Sequence, residues 1–164
     1  TIQKQSVVDP KELSDRFWDM FIIDAFIGNW DRHNGNWGFL YNQLTDEMVL
    51  APIYDCGSAL YPQVDESLAK KILSSKTEMK ARVYEIPTSA INLNGRRINY
   101  QKFISSHAYE ECDRALKRIV PRIDMAEIES LIEETEIGAD AIEEFLIKIL
   151  KLRKQLILDA NLGI

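Results

Sequence analysis

Residues 21–58, FIIDAFIGNWDRHNGNWGFLYNQLTDEMVLAPIYDCGS, leave this chain little freedom. An apolar run with helical spacing leads straight into Asp31-Arg32-His33-Asn34-Gly35-Asn36, a loop dense in polar groups. Two runs rich in aromatic and β-branched residues follow, 37–41 and 48–54, with turn-forming residues at 42–47 between them. That pattern predicts a β-hairpin, with Pro52 weakening the second strand towards its end. The second run delivers Asp55 directly ahead of Cys56 and Gly57.

Upstream, Asp9-Pro10-Lys11-Glu12 is a helix start: Asp9 caps, Pro10 suits the first helical position, and Glu12 sits where a capping-box acid reaches back. Leu13, Phe17, Met20, Phe21, Ala25 and Gly28 mark one face, and Trp18, Ile22, Phe26 and Asn29 a second. A helix apolar on both faces is a central, buried one, and Gly28-Asn29 ends it. Asp24 is the lone charge in the apolar run. A buried carboxylate needs partners, so Asp24 is expected to brace neighbouring backbone or a loop.

Downstream, 61–98 is the least regular stretch, with a short helix at 66–74, a break at Pro87 and a turn at Asn94-Gly95. Helices are expected at 100–107, 108–120, 125–134 and 139–158, with Asp124 capping the third. In the last, Ile142, Phe145, Leu146, Ile149, Leu152, Leu156 and Ile157 form an apolar stripe that belongs to a core.

The totals exclude several function classes. At 164 residues the chain fits one domain, 1–164. A net charge of −6 argues against a nucleic-acid partner, since phosphate backbones are held by clustered Lys and Arg. Cys56 and Cys112 form neither a metal spacing nor a disulfide framework. The N-terminal TIQKQSVVDP lacks the apolar core of a signal peptide, and the apolar run before the loop is too short to span a bilayer. A cytoplasmic protein without membrane contact is the expectation.

An acid, an Asn five residues later, a hairpin and then Asp-x-Gly is the layout of a phosphoryl-transfer site. Such a site needs a carboxylate to orient the attacking hydroxyl, hard oxygen ligands for Mg²⁺ and a rigid scaffold. Asp31 is placed for the first role. Asn36 and Asp55 supply an amide oxygen and a carboxylate that suit Mg²⁺. Oxygens of all three are expected to converge on one cleft at the end of the first helix. Arg32 is expected in a local ion pair, Asn34-Gly35 in a turn, Trp37 as a packing anchor and Cys56 as a small buried residue.

The loop DRHNGN, followed by WGF and YDCGS, resembles the HipA-like bacterial protein kinases over 23–60, and INLNGRRINYQKFI at 91–104 extends the likeness more weakly. The resemblance implies a catalytic Asp31, metal- and nucleotide-binding Asn36 and Asp55, ATP and Mg²⁺ as cofactors, and a Ser or Thr hydroxyl of a protein as acceptor. The Asp-Arg-His order also looks like the catalytic loop of phosphoinositide-lipid kinases, which adds His33 as a catalytic residue positioning the reacting groups. Eukaryotic protein kinases place His-Arg before the Asp, whereas Arg32 and His33 follow it here, and Cys56 stands where many kinases have Phe. No Gly-rich phosphate loop is present, nor a strand Lys to pair with a helix Glu.

The expectation is therefore a mainly α (α+β) kinase C-lobe with one small β-hairpin carrying the catalytic and metal-binding residues. It would be inactive without a nucleotide-gripping N-lobe, whether on the same or a separate chain. The resemblance also leaves room for an antitoxin-like partner, as some relatives have. A lipid or small-molecule hydroxyl is the alternative acceptor, and a non-catalytic interaction module on the same scaffold is the alternative function.

Overall fold

The first helix, α1 (Pro10–Ile27), begins where the cap chemistry places it. The Asp9 carboxylate accepts the Lys11 amide at 2.9 Å, and Pro10 occupies the first turn. Gly28 closes it in the left-handed region (φ 70°), and a Cβ there would lie 3.1 Å from Nη1 of Arg153. A side chain at that position is excluded on both counts. These coordinates come from a computed structural model that describes residues 8–135 and 137–163. Residues 1–7, part of the stretch read above for a signal peptide, lie outside it.

The hairpin follows as β1 (Phe39–Asn42) and β2 (Glu47–Leu50), antiparallel with Phe39 opposite Leu50 and Tyr41 opposite Met48. Its second strand stops at Leu50, short of Pro52. Two helices come next, α2 (Glu66–Ser74) and α3 (Lys76–Tyr84). The second was not legible because it buries only Met79 and Val83 and shows no apolar stripe.

Around Asn94-Gly95 the expected turn carries a second, minimal hairpin, β3 (Asn92–Leu93) with β4 (Arg96–Arg97). Asn94 and Gly95 both have positive φ, as a tight hairpin turn demands. The expectation of one hairpin is corrected to two.

The helical remainder is α4 (Tyr100–Ile104), α5 (Glu110–Ile119), α6 (Met125–Glu134) and α7 (Asp140–Arg153). The helix expected over 100–107 stops early because the Ser106 hydroxyl bonds the Phe103 carbonyl and His107 turns left-handed (φ 48°). The α7 segment continues beyond Arg153 as a π turn at Lys154–Leu158 and a 3₁₀ turn at Asp159–Asn161. Among the described residues, no helix is long and apolar enough to cross a membrane.

One core joins these pieces. Helix α1 packs on α5, and α7 packs on α2, α3 and α6, so Phe21, Ile22, Leu116, Phe145 and Ile149 are all buried together. Each such side chain contributes about 1.5–3 kcal/mol on burial. Arg118 of α5 grips the Asp19 carboxylate of α1 at 2.6 and 3.0 Å. The stripe of α7 is core, as its spacing implied. Helix α1 thus stands as a fixed post with a loop at its C-terminal end.

Candidate active site

The loop after α1 is built on a buried charge. Asp24, on the last turns of α1, is 2% exposed. Its carboxylate receives Nε of Arg32 at 2.9 Å, Nη2 of Arg32 at 3.2 Å and Nδ2 of Asn29 at 2.9 Å. Burial pushes the Asp24 carboxyl above the ordinary range, and the bonds from Arg32 and Asn29 draw it back. Burial also works against the charge on Arg32, but Asp24 outweighs it and holds the guanidinium firmly protonated. The bidentate geometry is that of a charged pair.

Arg32 uses its remaining donors to assemble the site. Nη1 donates to the carbonyl of Asn36 at 2.8 Å and to the carbonyl of Tyr54, and Nη2 reaches Sγ of Cys56 at 3.3 Å. All five guanidinium N–H groups are thereby engaged. Tyr54 is also held at its other end, where its hydroxyl donates to the Gly35 carbonyl at 3.0 Å. The residues on either side of Asp55 are thus tied to the loop that carries Asp31 and Asn36.

Within that loop, the Asp31 carbonyl accepts the His33 amide at 2.8 Å and Nδ2 of Asn36 at 2.8 Å. Asn36 is buried, with its Nδ2 committed to the Asp31 carbonyl, and its Oδ1 accepts no hydrogen bond among the described residues. The Asp31 amide is held by Oδ1 of Asn29. The carboxylates of Asp31 and Asp55 make no hydrogen bond or ion pair among the described residues, and Asp55 is exposed. His33 is exposed and bends onto its own loop, where Nδ1 accepts the Gly35 amide at 3.0 Å, leaving Nε2 open. Trp37 packs its ring 5.9 Å from that of Phe17. Cys56 is exposed, which corrects the expectation of a buried thiol; the interior place beside it is taken by Arg32.

Several supporting residues escaped the reading of the sequence. Tyr100 donates to the buried Asn29 carbonyl at 2.6 Å, and Nη2 of Arg97 donates to the Trp30 carbonyl at 2.6 Å. Both lie in the 91–104 pattern, whose bracing role the sequence alone does not show. The backbone after the hairpin is strained: Asp55, Leu60 and Tyr61 are all left-handed, at φ 56°, 58° and 54°. Each such residue costs about 1–3 kcal/mol, so the surrounding bonds must hold them in place. One of these is Leu60, whose amide donates to the Ile27 carbonyl at the end of α1.

The Asp31 and Asp55 carboxylates and the Asn36 amide oxygen are hard-oxygen donors of the kind Mg²⁺ takes, and among the described residues no group of three or more His, Cys, Asp or Glu side chains is gathered as a metal cluster. Arg32, the nearest cation in the loop, is paired with Asp24 rather than with either of these carboxylates.

The chain is similar to known proteins in sequence and in fold. The family model described as HipA-like C-terminal domain matches residues 1–136. The serine/threonine-protein kinase CtkA of Helicobacter pylori is 45% identical over 159 residues, which cover 96% of this chain and 49% of the relative. The crystal structure of a Helicobacter pylori proinflammatory kinase CtkA superposes with a TM-score of 0.92 at 44% identity, over 98% of this chain and 56% of that one. The chain therefore spans about half the length of the curated relative it matches.

Proposed function

The chain belongs to the family of HipA-like C-terminal domains, and from that premise we propose that it is the catalytic lobe of an ATP- and Mg²⁺-dependent kinase that phosphorylates Ser or Thr hydroxyls of a protein. The observation that carries this reading is the set of bonds from Arg32 to the carbonyls of Asn36 and Tyr54, because it joins two stretches of chain that each carry a candidate ligand. The name of the Helicobacter pylori relative supports the acceptor class.

In this reading Asp31 orients the acceptor hydroxyl and takes up its proton as the bond to phosphorus forms. Asn36 through Oδ1 and Asp55 through its carboxylate are the residues that would hold Mg²⁺. His33 positions the reacting groups through Nε2. Arg32 is a positioning residue, fixing the two ligand-bearing segments. Bound Mg²⁺–ATP supplies the phosphoryl group and neutralises the charge that builds on its oxygens.

The grip on the nucleotide is assigned to a second lobe. Nothing in residues 1–164 offers a phosphate-cradling Gly-rich loop. The hairpin also leaves Leu40 55% and Val49 57% exposed as a cross-strand pair, an apolar surface suited to such a lobe and its nucleotide. Calorimetric titration tests the division of labour. Residues 1–164 alone should show no micromolar binding of Mg-ATP, and the longer protein, or the lobe added in trans, should restore it. Tight binding by residues 1–164 would refute it.

A further inference from the structure

Beside the loop lies a groove of about 350 Å³, lined among others by Trp30, Tyr61, Pro62, Arg82, Pro87 and Arg97. Its position is set by the two stretches already described. Trp30 immediately precedes Asp31, and Tyr61 and Pro62 follow the strained segment that begins at Asp55. The Arg97 guanidinium donates to the Trp30 carbonyl, one peptide unit from Asp31.

The groove's charge is the reverse of the molecule's. The chain carries a net charge of −6, yet no lining residue is acidic and two are arginines. Arg97 has no carboxylate partner among the described residues, and Arg82 has only a loose contact with Glu78 at 3.8 Å. A third arginine stands directly behind the wall. Arg153 is 2% exposed, with no ion pair among the described residues, and its Nη1 donates to the Tyr61 hydroxyl at 3.0 Å and to the Arg82 carbonyl at 3.4 Å. Two guanidinium groups without a close carboxylate, backed by a buried third, make a local positive field beside rigid apolar rings.

We propose that this groove seats the acceptor segment of the protein substrate, with an anionic side chain of that segment held by Arg82 and Arg97 and an apolar one against Trp30 and Pro87. The proposal rests on the kinase reading above and adds to it a class of substrate sequence. A segment whose hydroxyl stands at Asp31 extends about 7–14 Å over its next two to four residues, and Trp30, which lines the groove, is the chain neighbour of Asp31. Arginine forks bind a carboxylate or a phosphate equally well, so the anion is an acidic residue or a residue already phosphorylated.

The test uses the full-length protein that carries this domain and matched Ser peptides with Glu, phosphoserine or Lys two to four residues from the target. Wild type should favour the Glu or phosphoserine peptide over the Lys peptide in kcat/KM by about tenfold, the worth of one charge-assisted hydrogen bond. The peptide preferred between Glu and phosphoserine identifies the source of the anion. Arg82→Gln should shrink the ratio, because Arg97 alone remains, and Arg82→Glu should remove or invert it. Because the readout is a ratio within each variant, a general loss of activity does not produce it. Equal kcat/KM for all peptides, or an unchanged ratio in both variants, would overturn the groove assignment and leave the kinase reading standing. Absence of any transfer that depends on Asp55 would overturn both.

Discussion

Arg32 donates to the main-chain carbonyl of Tyr54 across 22 residues of sequence, and that bond brings the far end of the hairpin back to the loop after α1. The bond is directional only because Arg32 is immobile. Its Nε and Nη2 are locked on Asp24, a carboxylate rooted in the buried post of α1. Asp55 inherits its place from this chain of contacts, and so does Asn36.

The first prediction concerns that root. Removing one partner of a buried ion pair leaves the other charge without compensation, so Arg32→Ala should cost about 3–5 kcal/mol of stability. The double variant Asp24→Leu/Arg32→Met should be clearly more stable than either single change, since it leaves no orphan charge. Urea denaturation midpoints measure both. A double variant as unstable as the sum of its parts would contradict the pairing.

Tyr100 should show the second effect. Its hydroxyl serves the buried Asn29 carbonyl, so Tyr100→Phe strands that acceptor and should cost about 1–3 kcal/mol. Thermal unfolding reads the loss, and a wild-type Tm would rule out the bond as a brace.

Thiol chemistry separates the two cysteines. Burial, aided by Asp113, pushes the Cys112 thiol up to about 12, whereas Cys56 is exposed. Iodoacetamide at pH 8 should therefore modify Cys56 and spare Cys112 in the folded protein, as mass spectrometry would show. Labelling at Cys112 without unfolding would contradict the fold.

The same burial sets an alkaline limit. Cys112 ionises near 9 in the unfolded chain and near 12 in the folded one, and the Tyr100 hydroxyl is likewise raised by burial. Unfolded chains lose these protons first, so stability is retained below about pH 9 and falls as pH climbs towards 12. Cys112→Ala should flatten part of that fall, measured by urea midpoints at pH 8 and pH 10.5.

Much of this was legible from local chemistry. The Asp9 cap, the two apolar faces of α1, the 42–47 turn and the α7 stripe are written in neighbouring residues, and the structure follows them. The spacing of Asp31, Asn36 and Asp55 is what the proposed site rests on. The ion pair of Arg32 and the bracing role of Asp24 were expected, and the two meet each other; the longer-range partners were not legible, because Arg32 also reaches 36, 54 and 56, and Arg97 and Tyr100 reach Trp30 and Asn29. No periodicity links such residues. Cys56 was misplaced for the same reason: only the fold shows that Arg32 fills the interior beside it.

Metal dependence should follow Asp55. In the full-length protein Asp55→Ala should abolish Mg²⁺-dependent transfer, since it removes the charged group proposed to hold the metal. Transfer that persists at ordinary Mg²⁺ concentrations would reassign the metal site.

The most direct test of the account is Asp31→Ala in the full-length protein, with phosphoryl transfer measured at saturating Mg-ATP and nucleotide affinity measured separately. The account predicts that ATP still binds as in wild type while kcat falls by about 10²–10⁴-fold, the worth of a positioned base. Near-normal turnover at saturating ATP would show that another group, His33 first among them, does the work assigned to Asp31.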